Sequence, residues 1–293
     1  MASQSVSLSF LNACPPEAFV AALGELFEHA PWVAEAASRG RPYPTVMALH
    51  HAMQQAVRQA PAEQRLAFIA GHPELGSRVA RTELTQASQA EQGGLGLDRL
   101  SADEFDRFSR LNAAYRAKFA MPFIVCVRRH TRDSILRQFE HRLDNTVEAE
   151  QDRALEEIGL ITRLRLAGLV DGPGMPATTG RLSTHVLDVV TGRPAAGIPI
   201  ALDEVGSSAR GRLVETVTNA DGRTDRPLIG GEPLRIGTYE ITFEVGAYFA
   251  QAGAPDPPFL DRIPIRFGIA EPEGHYHVPL LVTPWSYTTY RGS

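Results

Sequence analysis

Two histidines stand two apart near the end of the sequence, His275 and His277 in HYHVPLLVTPWSYTTYRGS. In an extended segment, residues i and i+2 share a face, so both rings would point the same way. Imidazole changes charge near neutral pH and suits proton transfer or metal ligation. A zinc site of H-x-H type needs a third ligand close by, and His185, in STHVLDVVTGRPA, is distant in sequence. The bland alternative is an ordinary strand with solvated histidines. Arg223 follows an Asp-Gly turn in TNADGR. The first half offers another set: His72 before Pro73 in GHPELG, and Ser88, Glu91 and Gln92 in ASQAEQGGLG. If residues 82–92 are helical, those last three fall at i, i+3 and i+4 on one face. Such a polar face is otherwise plain solvated surface, and a His-Pro loop can be incidental.

The elements that must position these groups differ between the halves. Residues 1–170 read as helices. Phe19, Leu23, Leu26 and Phe27 recur at helical spacing, as do Val46, Leu49, Met53 and Val57. Ser101 stands three residues before Glu104, a capping box, ahead of a stripe of Phe105, Phe108, Leu111 and Tyr115. A long helix is expected from roughly Thr146 to Val170, with Leu155, Ile158, Leu160 and Ile161 inward. Residues 171–180, DGPGMPATTG, lose all periodicity and read as a linker. From 181 to 293 the period becomes two: RLSTHVLDVV, GIPIALDEV, LVETVT, GTYEITFEV, RIPIRFGI and HYHVPLLVT are short alternating strands separated by turns. Strands at that spacing imply a β-sandwich or barrel. The fold expected is therefore multidomain, an all-α domain followed by an all-β sandwich.

Bulk properties narrow the function classes. Of 293 residues, 43% are hydrophobic and 22% charged, enough apolar material for full cores. The net charge of −5 gives no electrostatic case for nucleic acid or an anionic membrane surface as partner. Cys14 and Cys126 show neither metal-ligand spacing nor a disulfide framework. With no basic and apolar leader, no peroxisomal tripeptide and no membrane-length apolar run, a cytoplasmic protein is expected.

THVLDVVTGRPAAGIPI, TNADGR and HYHVPLLVTPWSYTTYRGS together resemble the three signature blocks of the transthyretin-like 5-hydroxyisourate hydrolases. The match spans about 113 residues, in order, and the third block ends the sequence. The resemblance implies a transthyretin-like sandwich with an active site of His185, Arg223, His277 and the closing Tyr290, Arg291, Gly292 and Ser293. His275 fits the pattern without an assigned role. Opening a cyclic ureide needs a water made nucleophilic and a departing nitrogen protonated, tasks two histidines can share. Arg223 would hold the urate-like ring, and Ser293 would add its hydroxyl or terminal carboxylate. Transthyretin itself, a carrier, lacks these histidines, this arginine and YRGS.

In the first half, HP-E-L, S-x-x-EQ-x-G, LN-x-x-Y-x-x-KF, PFIVCVR and a closing LRL resemble the decarboxylases of 2-oxo-4-hydroxy-4-carboxy-5-ureidoimidazoline (OHCU), over most of residues 10–168. That family is all-helical, so PFIVCVRR is expected as a helix entry or an extended substrate-contacting segment. The resemblance implies His72 and Glu91 as the catalytic pair, with Glu91 steering the histidine. It implies substrate contacts from Pro73, Ser88 and Gln92, from Phe123 and Ile124 through backbone groups, and from Arg165, chosen over Arg163, to an anionic group. The substrate's own imine and carbonyl system can absorb the electrons left by CO2, so no cofactor or metal is expected.

The two resemblances name consecutive steps, and the whole chain resembles the bifunctional allantoin synthases. A homo-oligomer, tetramer or dimer, is expected. So is a tail seated in a shared pocket, where a C-terminal tag would harm the hydrolase more than the decarboxylase. Alternatives are one active domain with the other serving assembly, or a non-catalytic ureide carrier.

Overall fold

The computed structural model describes residues 5–76, 85–97, 100–206, 210–251, 253 and 255–292. The chain forms two compact units, Met1–Arg128 with Ile135–Thr178, and Arg129–Ser134 with Thr179–Ser293.

The first unit begins with β1 (Val6–Ser7) and continues through α1 (Leu8–Ala13), α2 (Pro16–Leu23), α3 (Pro31–Ser38), α4 (Val46–Gln59) and α5 (Ala62–Ala70). After the residues not described come α6 (Gln86–Gly94), α7 (Ala102–Phe119), α8 (Arg132–Arg142), α9 (Val147–Leu169) and β2 (Val170–Asp171), which pairs in parallel with β1. The capping box at Ser101 is formed in both directions, Glu104 N–H to Ser101 Oγ at 3.3 Å and Ser101 N–H to Glu104 Oε2 at 2.9 Å. Val46, Leu49, Met53 and Val57 are all buried on α4.

Other helical readings are corrected. α2 stops at Leu23, so Leu26 and Phe27 reach the core from the turn beyond it, where Leu26 N–H bonds Leu23 O at 3.1 Å. Leu160 on α9 is only half-buried and stands outside the core, whereas Leu155 and Ile158 belong to it. α6 runs through Gly93 and Gly94 rather than stopping at Gln92. Residues 171–180 are tied down at both ends: Val46 N–H bonds Pro173 O at 2.9 Å, and Gly180 N–H bonds Glu232 O at 2.9 Å.

The second unit is a two-sheet sandwich made from β3 (Arg181–Asp188), β4 (Arg193–Pro194), β5 (Pro199–Val205), β6 (Arg210–Val217), β7 (Ile229–Gly230), β8 (Gly237–Glu244), α10 (Gly246–Ala250), β9 (Arg262–Ile269), β10 (His275–Thr283) and β11 (Ser286–Thr289). One sheet has the order β11-β10-β3-β4, with β7 also on β3; the other has the order β6-β5-β8-β9. Leu182, Val186, Leu202, Ile241, Phe243, Leu280 and Val282 fill the space between them. β10 and β3 run parallel, placing His277 opposite Ser183 and Pro279 opposite His185. That register, set by burying the alternate face, brings two remote sequence blocks together.

Candidate active sites

In the helical unit, the loop after α5, the helices α6 and α9 and the buried segment after α7 line a pocket. His72, Pro73, Ser88, Glu91, Gln92, Phe123, Ile124 and Arg165 all line it, with Glu28, Ile158 and Thr162. Arg163 is not among the lining residues.

Arg165, on α9, is fully engaged by protein acceptors. Its Nε and Nη2 donate to the two oxygens of Glu91 at 3.0 and 2.8 Å. Nη2 also donates to Ser88 Oγ at 3.0 Å, and Nη1 to Glu28 Oε2 at 3.1 Å and Leu26 O at 3.5 Å. A guanidinium has five N–H donors, and all five are used here. A substrate anion reaching Arg165, as expected from the sequence, would have to displace one of these partners. Burial works against the charge, but Glu91 and Glu28 outweigh it and hold the Arg165 pKa above its ordinary value.

Glu28 carries no motif and was missed by the sequence. It lies in the irregular segment after α2, only 5% exposed. Thr85 Oγ1 and Ser88 Oγ donate to its Oε2 at 3.0 and 2.9 Å. Burial alone would raise its pKa; the hydrogen bond from Thr85, the charge of Arg165 and the hydrogen bond from Ser88 together bring it below the usual carboxylate value. Two carboxylates and one guanidinium thus face the pocket.

His72 follows α5. Its Nδ1 lies 2.9 Å from Phe68 O. A carbonyl only accepts, so Nδ1 carries the proton and Nε2 is the basic nitrogen. Its tautomer is fixed by this carbonyl and not by Glu91, whose carboxylate is turned to Arg165. Desolvation in the pocket lowers its pKa to about 4, against the weaker opposing pull of the Phe68 carbonyl and Glu28.

The segment Met121–Cys126 is buried and outside regular helix or strand, and leads into a short 3-10 turn at Val127–Arg129. Buried charges fix it from behind. Arg142 Nη1 donates to Ile124 O at 2.8 Å, and its guanidinium lies 4.4 Å from the centre of the Phe123 ring. Arg142 is paired with Glu150, which also accepts from Tyr115 and from Asn145 Nδ2. Glu157 accepts Cys126 N–H at 2.8 Å and pairs with Arg153. Ile124 O and Cys126 N–H are thus already bonded within the protein.

In the sandwich unit the second set gathers across β3 and β10. Arg223 bridges His185 in antiparallel fashion, and Gly292 bridges His277. The Asp-Gly turn is built by Asn219, whose Oδ1 accepts Asp221 N–H at 3.0 Å and Arg223 N–H at 3.2 Å. Gly222 has φ +68°, and a Cβ there would sit 2.3 Å from Val186 O. Gly292 N–H bonds His277 O at 2.8 Å; a Cβ on Gly292 would lie 2.9 Å from His277 Cδ2. Each glycine lets the backbone approach one of the two histidines.

His275, His277, Tyr290, Arg291 and Gly292 line an open depression. Nε2 of His185 is buried with no hydrogen-bond partner among the described residues. Desolvation, then the charge of Arg223, lowers the pKa of His185. Desolvation, then Arg223 and His185, does the same at His277. Both rings are held toward their neutral forms. Arg291 pairs with Glu271 at 3.2 Å and lies over the Tyr276 ring. Ser293 lies outside the described residues.

Comparison with known proteins yields two family matches, the description OHCU decarboxylase over residues 12–167 and HIUase/Transthyretin family over residues 182–292. A 5-hydroxyisourate hydrolase of Deinococcus radiodurans is 55% identical over 113 residues, 38% of this chain and 95% of that protein. An OHCU decarboxylase of Haloferax volcanii is 41% identical over 162 residues, 55% of this chain and 95% of that protein. A crystal structure of (S)-allantoin synthase aligns over 98% of this chain and 100% of its own, at 36% identity and a TM-score of 0.53.

Proposed function

We infer two consecutive reactions from one premise: the chain belongs to the OHCU decarboxylase family through residues 12–167 and to the HIUase/transthyretin family through residues 182–292. It is a bifunctional enzyme of urate degradation. The sandwich unit hydrolyses 5-hydroxyisourate to OHCU, and the helical unit decarboxylates OHCU to (S)-allantoin. The observation that carries this reading is the alignment of the whole chain with an (S)-allantoin synthase.

In the hydrolase, His185 and His277 position and activate water, and the proton taken from it is returned to the departing nitrogen. Their lowered pKa values keep them available as bases near neutral pH. Arg223 holds the ring and the oxyanion that develops on it. Tyr290, Arg291 and Gly292 contact the substrate, and Ser293 adds a polar contact.

In the decarboxylase, His72 handles the proton of the substrate hydroxyl through Nε2. Glu91, Ser88 and Gln92 orient the substrate, with Pro73 and the backbone of Phe123 and Ile124 closing the wall. Arg165 acts first as the organiser of Glu91 and Glu28, and an anionic substrate group competes for its donors. Carboxylates lining the pocket disfavour a bound carboxylate more than the neutral CO2 it becomes, which favours its loss.

The reading includes a homo-oligomer of tetrameric or dimeric form. β11, at the sheet edge, exposes Tyr287 at 46% and the turn before it exposes Trp285 at 65%, an edge suited to a second copy. A cytoplasmic location fits the buried thiols of Cys14 and Cys126. No helix among the described residues is long and apolar enough to cross a membrane.

The test is to generate 5-hydroxyisourate from urate with urate oxidase, add the protein, and follow absorbance and circular dichroism. Fast loss of both intermediates with a lasting (S)-allantoin signal is expected. A second intermediate that decays only at its uncatalysed rate would remove the decarboxylase half.

A further inference from the structure

Ser183 stands between two histidines that its own strand does not carry. Its Oγ lies 3.0 Å from His277 Nδ1 and 3.2 Å from His275 Nε2. Ser183 is 8% exposed, and the parallel register sets it opposite His277. His275 is exposed. A hydroxyl has one hydrogen to give. It cannot donate to both imidazole nitrogens, so the tautomer of one ring constrains the other.

We propose that Ser183 and His275 are positioning residues of the hydrolase, forming a proton relay from the Nδ1 of His277 to an imidazole at the solvent surface. The proposal rests on the reading of His277 as a base. With Nδ1–H of His277 donating to Ser183 and the serine hydrogen on His275, Nε2 of His277 is the free base. When Nε2 takes the proton of the attacking water, a new C–O bond forms. The Nδ1 proton then moves to the serine oxygen as the serine proton moves to His275. The positive charge thereby passes to the exposed ring. When the C–N bond breaks, the departing nitrogen takes the Nε2 proton and the relay runs back, leaving both histidines neutral. The water has then supplied one oxygen and one proton to carbon and the other proton to nitrogen.

The surroundings of His277 make this shift useful. It is faced by Arg181 and His185 from β3, by Arg223 from the loop after β6, by His275 from its own strand, and by Tyr290 and Arg291 from the C-terminal segment. A cation formed at His277 sits beside the fixed positive charges of Arg223 and Arg181, whereas one on His275 is reached by water. Desolvation, followed by Arg223, His185, His275 and Arg181, disfavours the charged form of His277.

The test compares Ser183→Ala, Ser183→Thr and His275→Gln with His277→Ala, using 5-hydroxyisourate generated in situ, and reads kcat and KM against pH. Expected is a roughly 10- to 100-fold loss of kcat in Ser183→Ala and His275→Gln, the size seen when a partner orienting a functional histidine is removed. KM should move much less. Ser183→Thr keeps the hydroxyl and should recover most of the loss. In His275→Gln the acidic limb should move to higher pH, because a neighbouring positive charge is gone. The relay is overturned if His277→Ala is inactive while Ser183→Ala and His275→Gln keep wild-type kcat across the pH range. It is also overturned if Ser183→Thr is as impaired as Ser183→Ala. If His277→Ala itself keeps wild-type kcat, the base assignment beneath the proposal fails.

Discussion

Arg165 of α9 and Glu91 of α6 form a two-point ion pair, Nε to Oε1 at 3.0 Å and Nη2 to Oε2 at 2.8 Å, inside the decarboxylase pocket. Two residues 74 apart are thereby fixed in one plane, and Glu28 holds the remaining edge of the guanidinium at 3.1 Å. Lysine cannot present this planar fork. Arg165→Lys is expected to lower kcat/KM for decarboxylation by on the order of a hundredfold, comparable to loss of a preorganised donor. Hydrolysis by the same protein should be unchanged. Equal losses in both reactions would contradict the placement of Arg165.

Decarboxylation should tolerate mild acid. His72 must be neutral at Nε2 to accept a proton, and its pKa is lowered to about 4. Its active form therefore persists below the ordinary histidine value near 6.5 and is lost as pH falls through about 4. The same depression has a stability consequence, shared by His50, also lowered to about 4 by burial. The unfolded chain binds protons on these rings below about 6.5 while the fold resists them, so their contribution is full above that pH and lost toward pH 4. Rate–pH profiles should show the activity limb near 4, and denaturation midpoints should decline from about 6.5 downward. An activity limb at 6.5 would argue against His72 in this role.

The buried group behind the pocket carries stability as well as position. Arg142 is 2% exposed and Glu150 fully buried, with Tyr115 bonded to the same carboxylate. Removing one partner strands the other charge away from water. Glu150→Ala is expected to cost about 3–5 kcal/mol, measured by denaturant unfolding of the helical unit. A loss below about 1 kcal/mol, the level of an exposed pair, would show that water reaches Arg142.

At the hydrolase site the glycines are sensitive positions. A methyl at Gly292 would press on His277 Cδ2 at 2.9 Å, and one at Gly222 would strike Val186 O at 2.3 Å in a left-handed backbone. Gly292→Ala should lower hydrolysis with little change in melting temperature, since the added methyl meets only the His277 side chain. Gly222→Ala should lower both, because the turn between Asn219 and Arg223 must reopen. An unchanged hydrolytic rate in Gly292→Ala would mean that the tail does not set the His277 ring.

The strands from Arg181 to Thr283 were legible because one face of each is buried, which writes a period of two into the sequence. β11 and α10 left too few residues for a pattern. In the helical unit, α4 and α7 showed their faces through Val46–Leu49–Met53–Val57 and a capping box. α2 ended sooner than its apolar spacing suggested, because Leu26 and Phe27 pack from a turn. The residues taken from motifs cluster in the pocket. The residues missed, Glu28, Arg142, Glu150 and Glu157, are charged groups that remote segments bury, even where the counter-charge is near in sequence, as for Arg142 with Glu150 and Glu157 with Arg153. In sequence they look like solvated surface, and only the fold shows that each is buried against a counter-charge. Ser183 was invisible for the same reason: its importance comes from what the parallel register sets beside it.

The central claim is that two separate sites divide two successive reactions. The most direct measurement is the urate oxidase-coupled assay run with His277→Ala and His72→Asn in parallel. His277→Ala should accumulate 5-hydroxyisourate yet still decarboxylate OHCU supplied by an independent hydrolase. His72→Asn should consume 5-hydroxyisourate at the wild-type rate and accumulate OHCU, and mixing the two proteins should restore (S)-allantoin formation. If either substitution abolished both steps, or if neither stopped its own step, the division of labour would be wrong.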